Sequence, residues 1–172
     1  MRRVVIPVCG VLTGLVLAGP ATSAPPTHLD LATGRVDGRL VLGRSVAGVT
    51  ASLGLPPRRS PGRARYTLEY GPPGDFSLRV HFRRSGGRLR AWSIVFRDTA
   101  LREAALGRVL DLSARAFTAS LADRYAGEFV PRGAYRCFVN SCSQSFATAD
   151  GRRHLTFGRE SRRGPFLVLY GG

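Results

Sequence analysis

A histidine, a glutamate and an arginine lie in two neighbouring segments that alternate like β-strands. Glu69 is in RYTLEY, and Arg79 and His81 are in FSLRVHF. Because strand side chains alternate between faces, Arg79 and His81 share one face of the predicted sheet. A histidine base, its carboxylate partner and a phosphate-stabilising arginine would suit a small secreted hydrolase or nuclease. The alternative is the solvated face of a half-buried sheet, and we favour it because no spacing among these residues requires chemistry.

Arginine clusters recur where the predicted strands turn. The chain has 26 basic residues of the Lys/Arg type, all of them arginine, against 11 acidic residues, and its net charge is +15. Arg83, Arg84 and Arg88 surround one turn, and with Arg79 and His81 they form our candidate binding site. Such a cluster attracts an acidic protein, nucleic acid or another anionic polymer. Charges at strand ends also keep sheets from joining edge to edge, and abundant Ala, Gly and Pro indicate a codon bias that favours arginine.

Two cysteines in YRCFVNSCSQSF predict a disulfide. Cys137 and Cys142 would lie at the base of a hairpin whose loop runs from Phe138 to Ser141. Zinc would need four ligands, and no histidine is close in sequence. So small a loop contributes about 2 kcal/mol in the chain-entropy model, so the bond staples a hairpin and does not hold the fold together. We find no nucleophile–base motif, phosphate loop or metal cluster, and we predict neither a metal nor a cofactor.

The N-terminal residues 1–24 have the three parts of a secretory signal peptide. Arg2 and Arg3 precede an apolar run from Val4 to Ala18, and small residues follow up to Ala24. The run of about 15 residues is shorter than the roughly 20 that span a bilayer, which disfavours an uncleaved anchor. We expect a secreted or envelope-associated mature chain without a transmembrane segment, and a net charge of +13 (15 − 2).

Two short amphipathic helices are predicted. Ser45 is a good N-cap for the first, Gly54 suits its C-terminus, and Leu55 could fold back on the helix. Its apolar stripe comprises Val46, Val49 and Leu53. Ser113 caps a second helix that runs to about Tyr125. Its stripe comprises Ala114, Phe117, Leu121 and Tyr125. Helices this short need a sheet to cover their apolar sides.

Alternation predicts seven strands in two groups. The segments are RYTLEY, FSLRVHF, LRAWSIVF, 135–139, 142–149, 154–159 and 166–170. We expect a three-residue turn, Ser85 to Gly87, between the second and third strands. That turn would pair Val80 with Trp92, Leu78 with Ile94, and Phe76 with Phe96, all on the core face. An arrangement with Trp92 and Phe82 on opposite sides of their hairpin would overturn this architecture, and the expectation of a non-catalytic binding protein would lose its support.

The order of helix, three strands, helix and four strands predicts an α+β fold. Two short helices would pack on antiparallel meanders, with a possible tandem pseudo-repeat. We divide the chain into the signal peptide, a flexible arm over 25–38 and one domain over 39–172, with halves 39–98 and 99–172.

The stretch LGRSVAGVTASLGLP and the meander after it, residues 40–97, resemble the helix-plus-strands unit of two families. One is the BamE-like outer-membrane assembly lipoproteins, in which the unit occurs once. The other is the secreted β-lactamase-inhibitory proteins, in which it occurs in tandem. The resemblance implies a protein-binding scaffold without catalysis. We therefore expect a small secreted non-catalytic binding protein of unknown partner, with a polymer-associating basic protein and a secreted hydrolase as alternatives.

Overall fold

The structure is a computed structural model that describes residues 26–56, 58–61, 65–72 and 75–171. These residues form a mixed α+β fold of two short helices and mostly antiparallel strands, as predicted. The predicted signal peptide lies outside the described residues. None of the helices in the described part of the chain is long and apolar enough to cross a bilayer.

The described residues form fourteen strands, two α-helices and one 3-10 turn. The helices are α1 (Val46–Leu53) and α2 (Ala114–Arg124), and the 3-10 turn is Val109–Asp111. The strands are β1 (His28–Asp30), β2 (Arg35–Val36), β3 (Arg39–Leu40), β4 (Arg58–Pro61), β5 (Arg65–Tyr70), β6 (Leu78–Ser85), β7 (Arg88–Phe96), β8 (Arg102–Glu103), β9 (Gly107–Arg108), β10 (Phe129–Pro131), β11 (Arg136–Phe138), β12 (Ser141–Thr148), β13 (Arg153–Glu160) and β14 (Gly164–Gly171).

The large sheet has the strand order β10-β12-β13-β14-β7-β6-β5-β4, and β11 pairs with β12 alongside β10. Each half of this sheet is a meander that follows one helix, and the halves meet where β7 pairs with β14. A small sheet has the order β3-β2-β1-β8-β9. We call the side of the large sheet that carries the buried apolar residues its core face, and the opposite side its open face.

Helix α1 begins and ends near the predicted residues. The Ser45 hydroxyl accepts a backbone N–H bond of 3.1 Å, and Val49 and Leu53 are buried. Gly54 ends the helix with a positive φ of 84°. Its ψ of −179° leaves the backbone extended, so the chain departs from the helix. Leu55 is 51% exposed, and the prediction that it folds back on the helix is wrong.

Helix α2 covers the second meander. Ser113 caps it with a 3.1 Å bond, as predicted. Phe117 stacks on Phe157 at 4.3 Å between ring centroids and meets Phe146 edge-on at 5.7 Å. Leu121 is also buried, so the predicted stripe is the one that faces the core.

The predicted flexible arm over 25–38 is wrong for residues 28–38. Strand β1 pairs antiparallel with β2 and parallel with β8. Leu29, Leu31 and Val36 are each no more than 1% exposed and belong to the same core as the helices. The sequence of this segment is mostly polar, but its few apolar side chains pack into the core on the core face of the large sheet.

A buried carboxylate attaches this segment to the rest of the core. Glu103 accepts backbone N–H bonds from Leu31 (3.0 Å), Ala105 (2.7 Å) and Leu106 (2.9 Å), and a bond from the Tyr125 hydroxyl. Burial and this bond to Glu103 raise the pKa of Tyr125. A carboxylate with four donors needs no further partner, and we assign Glu103 a structural role.

The β6–β7 hairpin differs from the prediction in its turn. Ser85 pairs with Arg88, so Gly86 and Gly87 form a two-residue loop and not a three-residue one. Their φ values of 55° and 77° suit the type I′ turn, whose twist matches that of the flanking strands.

A bulge in β7 restores the core that the shorter turn would disrupt. The register shifts between His81 and Phe82, so Trp92 has no cross-strand partner on β6. Beyond the bulge Val80 pairs with Ile94 and Leu78 with Phe96, not with the partners we predicted. One extra residue returns Ile94 and Phe96 to the core face, which explains why the fold class holds although Trp92 does not lie with Phe82.

The cysteine hairpin contains the predicted disulfide but has a tighter turn. Cys137 and Cys142 are bonded and lie directly opposite each other, with their Cα atoms 3.9 Å apart. Phe138 pairs with Ser141, so the loop has two residues and not four.

Candidate functional site

Strands from both halves of the large sheet build a cleft of about 450 Å³ on its open face. Arg83 comes from β6, Trp92 from β7, Tyr170 from β14 and His154 from β13. The remaining lining residues are Ser145, Leu155, Thr156 and Gly171. The cleft exists only because β7 pairs with β14, since that pairing places Tyr170 beside Ser93.

Trp92 lies on the open face and not on the core face as predicted. Its ring centroid is 5.7 Å from that of Tyr170 at an interplanar angle of 39°. The Arg83 guanidinium carbon lies 5.8 Å from the Trp92 ring. The prediction failed because the two-residue turn pairs Ala91, and not Trp92, with Phe82 on the core face, and Trp92 is the unpaired residue of the bulge. Trp92 is half-buried, so one part of its ring is available to a ligand.

Three arginines occupy paired positions on β5, β6 and β7, and Arg83 among them lies beside the Trp92 ring. Arg65 pairs with Arg83, and Arg83 pairs with Arg90, so one row on β5, β6 and β7 is entirely basic. Among the described residues no carboxylate lies within 4.0 Å of their charged nitrogens. Like charges directly opposite each other destabilise a sheet. We call these three residues the open arginine row.

A second row on the same face has a carboxylate between its two arginines. Glu69 lies opposite both Arg58 and Arg79, with nitrogen–oxygen distances of 3.3 Å and 2.7 Å. Arg79 also covers the Phe76 ring at 3.7 Å from its centroid. We call Arg58, Glu69 and Arg79 the closed row. Arg79, a predicted binding residue, is therefore already engaged within the protein.

His81 lies between the two rows. Its Nδ1 is 3.3 Å from the Thr67 hydroxyl, and that threonine is its cross-strand neighbour. Burial lowers the pKa of His81, and the positive charges of Arg79 and Arg65 lower it further. Glu69 binds two arginines, and the His81–Glu69 pairing that the hydrolase hypothesis requires is not formed between these described side chains.

The other two predicted binding residues lie at the end of the β6–β7 hairpin. Arg84 donates to the carbonyl of Gly87 at 3.1 Å and pairs with Leu89, which places it on the core-face side of the hairpin. Arg88 is exposed and pairs with Ser85. The structure thus brings Arg79, His81, Arg83 and Arg88 to the open face and leaves Arg84 off it.

Sequence reasoning missed most of the cleft. The His154 ring lies 2.8 Å from the Gly151 carbonyl, and Tyr170 is 88 positions (170 − 82) after Phe82, the last residue of the segment that contains Arg79 and His81. Alternation within β13 and β14 could have placed both residues opposite the apolar set. Only the β7–β14 pairing shows that they join Trp92.

The described residues contain no group of three or more His, Cys, Asp or Glu side chains that could hold a metal ion. The arrangement in the cleft is one of cations and aromatic rings. A guanidinium donor next to an aromatic surface is chemically suited to an anionic group.

The described residues form a mixed α+β fold with a cleft on the open face of the large sheet. No family model and no curated protein matches the chain. Among solved structures it is similar to a DUF4309 family protein (YjgB) from Bacillus subtilis subsp. subtilis str. 168. The identity is 13% and the TM-score 0.48, over 80% of this chain and 84% of that chain. We base no argument on a likeness at this level, and the resemblance over residues 40–97 stays a prediction.

Proposed function

We propose that this protein is a secreted non-catalytic binding module that holds an acidic protein on the open face of its large sheet. The observation that carries the proposal is the open arginine row beside Trp92. Arg65, Arg83 and Arg90 are like charges at paired positions, an arrangement that destabilises a sheet, although Arg90 also donates to the Gly43 carbonyl at 3.2 Å. An occupant that supplied carboxylates would remove that repulsion.

The residue types of the cleft support a protein partner. Tryptophan, tyrosine and arginine are the residues that most often dominate the energy of protein interfaces. Trp92 and Tyr170 offer rigid apolar area, and Arg83 offers a donor fork that matches a carboxylate. The tandem inhibitor-like resemblance also implies a protein-binding scaffold.

Secretion and the lack of catalysis are parts of the same proposal. The Cys137–Cys142 bond is of a kind that persists in oxidising compartments, and residues 1–24 have the composition of a signal peptide. The engagement of Glu69 by Arg58 and Arg79 leaves His81 without a carboxylate to orient it. Any hydrolytic activity that persisted in His81→Ala would count against the hydrolase alternative as we framed it.

A second candidate is association with an anionic envelope polymer or nucleic acid. Arginines far from the cleft favour it, because Arg136, Arg159 and Arg162 are exposed and have no ion-pair partner among the described residues. A polymer would use such charges wherever they lie, whereas a protein partner would depend on the cleft.

The test compares capture by three immobilised proteins: wild type, Arg83→Ser/Trp92→Ser, and the control Arg115→Ser/Leu55→Ser. The control removes an exposed arginine and an exposed apolar residue away from the cleft. Culture supernatant and envelope extract are applied at about 0.05 M and about 0.5 M salt, where the screening length is about 13 Å and about 4 Å. We expect wild type and control to retain the same acidic protein at both concentrations, and the cleft variant to retain about tenfold less or lower. Equal retention by the cleft variant, or retention at low salt only, would overturn the proposal, and the second result would favour the polymer.

A further inference from the structure

The tip of the disulfide-bonded hairpin exposes two large apolar side chains. Phe138 is 82% exposed and Val139 is 84% exposed, the highest values among the exposed large hydrophobic residues of the described chain. They are neighbours at the turn between β11 and β12, so their side chains form one apolar tip. We call Phe138 and Val139 the hairpin tip.

The backbone holds this tip in place despite an unfavourable residue type. Val139 has a φ of 52°, in the left-handed region that a β-branched residue rarely adopts and where Asn or Gly is usual. The disulfide closes the hairpin immediately behind the turn. The Asn140 carbonyl accepts bonds from the Ser161 backbone N–H (2.8 Å) and hydroxyl (3.3 Å), which join the tip to the β13–β14 turn. Residues in such sparsely populated conformations cluster at functional sites, which makes the hairpin tip a candidate site.

Arginines surround the tip on both sides of the sheet. Arg136 is next to Cys137 and opposite Ser143, on the open-face side. Arg159 lies opposite Cys142, on the core-face side. Arg162 and Arg163 line a shallow pocket of about 260 Å³ together with Val139.

Little negative charge compensates these four arginines. Glu160 lines the same pocket but forms an ion pair with Arg97 at 2.7 Å. Asp75 and Asp98 share a second pocket with Arg163. No carboxylate among the described residues lies within 4.0 Å of a charged nitrogen of Arg136, Arg159, Arg162 or Arg163.

We propose that the hairpin tip inserts Phe138 and Val139 into an anionic lipid membrane while the surrounding arginines bind lipid headgroups. An end-on approach to a plane of phosphates lets arginines on both sides of the sheet engage at once. Apolar side chains at the centre of a basic surface are the combination that interfacial membrane binding requires. A concave protein site would have to enclose both sides of the hairpin to use the same charges.

This contact leaves the cleft free for a partner. Along β13 the cleft residue His154 is five residues from Arg159, or about 17 Å at the strand rise of about 3.3 Å per residue. The tip lies at one end of β12 and β13, and the cleft lies toward the other end. Membrane docking and the proposed partner binding can therefore occur together, and they can be tested apart.

The experiment uses mature protein recovered from culture medium, with its N-terminus checked by mass spectrometry so that residues 1–24 contribute nothing. Cosedimentation is measured with vesicles of phosphatidylglycerol and phosphatidylcholine in equal parts, and with phosphatidylcholine alone. We expect binding to the anionic vesicles and at least tenfold weaker binding to the neutral ones.

The tip variant is Phe138→Ser/Val139→Asn. Asparagine tolerates the left-handed conformation, so this change should preserve the turn. We expect the anionic-vesicle affinity to fall about tenfold or more through the loss of apolar contact. Leu55→Ser, at an exposed leucine elsewhere, should bind as wild type does. Arg162→Ser/Arg163→Ser should lose about tenfold, and Arg124→Ser should lose little.

Insertion itself is followed by fluorescence. Trp92 is the single tryptophan, so Phe138→Trp in a Trp92→Phe background places the only reporter at the tip. Its emission should shift to the blue on the anionic vesicles and be quenched by brominated lipid chains. Three results would overturn the proposal: a tip variant that binds with wild-type affinity, bound protein that shows no blue shift, or no vesicle binding at all. The last result would favour a protein partner whose pocket receives the hairpin tip. None of these outcomes bears on capture by the cleft.

Discussion

The closed row and the open arginine row both place arginines on the open face of the large sheet, but they differ in whether a carboxylate lies between the arginines. In the closed row Glu69 lies between Arg58 and Arg79, and all three side chains are partly buried. In the open row Arg65, Arg83 and Arg90 face one another with no carboxylate near them in the described chain. In the first row one carboxylate lies between the two arginines, and the Nε atoms of Arg58 and Arg79 still have no hydrogen-bond partner among the described residues. The second row has no counter-charge within 4.0 Å among the described residues.

This difference shows that the number of arginines does not locate a site. Arg79 and Arg83 are four residues apart in one strand, and both belong to the predicted binding cluster. Only their cross-strand partners separate a structural arginine from one that is available to a ligand. An excess of arginine in a sequence indicates a binding site only where the folded chain places no carboxylate beside those arginines.

The largest effect is expected when the closed row is opened. Glu69→Gln leaves Arg58 and Arg79 without their carboxylate in a partly buried setting. We expect the free energy of unfolding to fall by about 2 kcal/mol, because removing one partner of such a pair leaves the other charges uncompensated. Urea unfolding followed by circular dichroism measures it. Glu128→Gln, at another arginine-paired glutamate outside this face, is the control for the loss of one acid. If Glu69→Gln left the urea midpoint unchanged, the carboxylate would not stabilise the closed row, and the two rows would not differ in energy.

A smaller effect of opposite sign is expected when the open row is closed. Arg83→Glu places an acid between Arg65 and Arg90 and reproduces the pattern of the closed row. We expect the protein to gain about 0.5 kcal/mol in unfolding free energy, since an opposite-charge pair replaces a like-charge pair. Thermal unfolding at low salt reads this change, and Arg83→Gln should gain less. The same variant should lose the acidic partner. Destabilisation by Arg83→Glu would mean that the row is not under electrostatic strain.

The smallest effect is a pH dependence at the residue between the rows. Folding lowers the pKa of His81, chiefly through burial and then through Arg79 and Arg65. Below about pH 6.5 the unfolded chain therefore binds this proton more readily than the folded chain does. Stability should be level above that pH and fall as the pH decreases toward the folded pKa. In His81→Gln this decline should be shallower when the melting temperature is measured from pH 7.5 to 5. His154→Gln, which leaves His81 in place, should retain it, and a wild-type slope in His81→Gln would contradict the assignment.

The sequence was sufficient for elements whose signals are local. Ser45 and Ser113 begin helices as capping residues should, the stripes of both helices face the core, and Cys137 bonds to Cys142. Capping, periodicity and short-range disulfides depend on a few neighbouring residues, so the α+β class follows from them.

Features that depend on distant pairing could not be found in this way. The segment around Leu29 reads as a flexible arm until β8, more than 70 residues later, pairs with it. The cleft needs β7 beside β14, and alternation cannot reveal which strands become neighbours. The turn of the β6–β7 hairpin was mispredicted because we assumed two regular strands, for which a three-residue turn places Ile94 and Phe96 on the core face. A two-residue turn followed by a bulge places them on the same face.

The bulge in β7 makes the identity of residue 92 independent of the cross-strand pairing. Without residue 92, Phe82 would still face Ala91 and His81 would still face Ser93, because the pairing on either side is continuous. Residue 92 is therefore an extra residue that takes no part in the pairing of β6 with β7. Substitutions at position 92 would therefore change the open face and leave the pairing of the core residues unchanged.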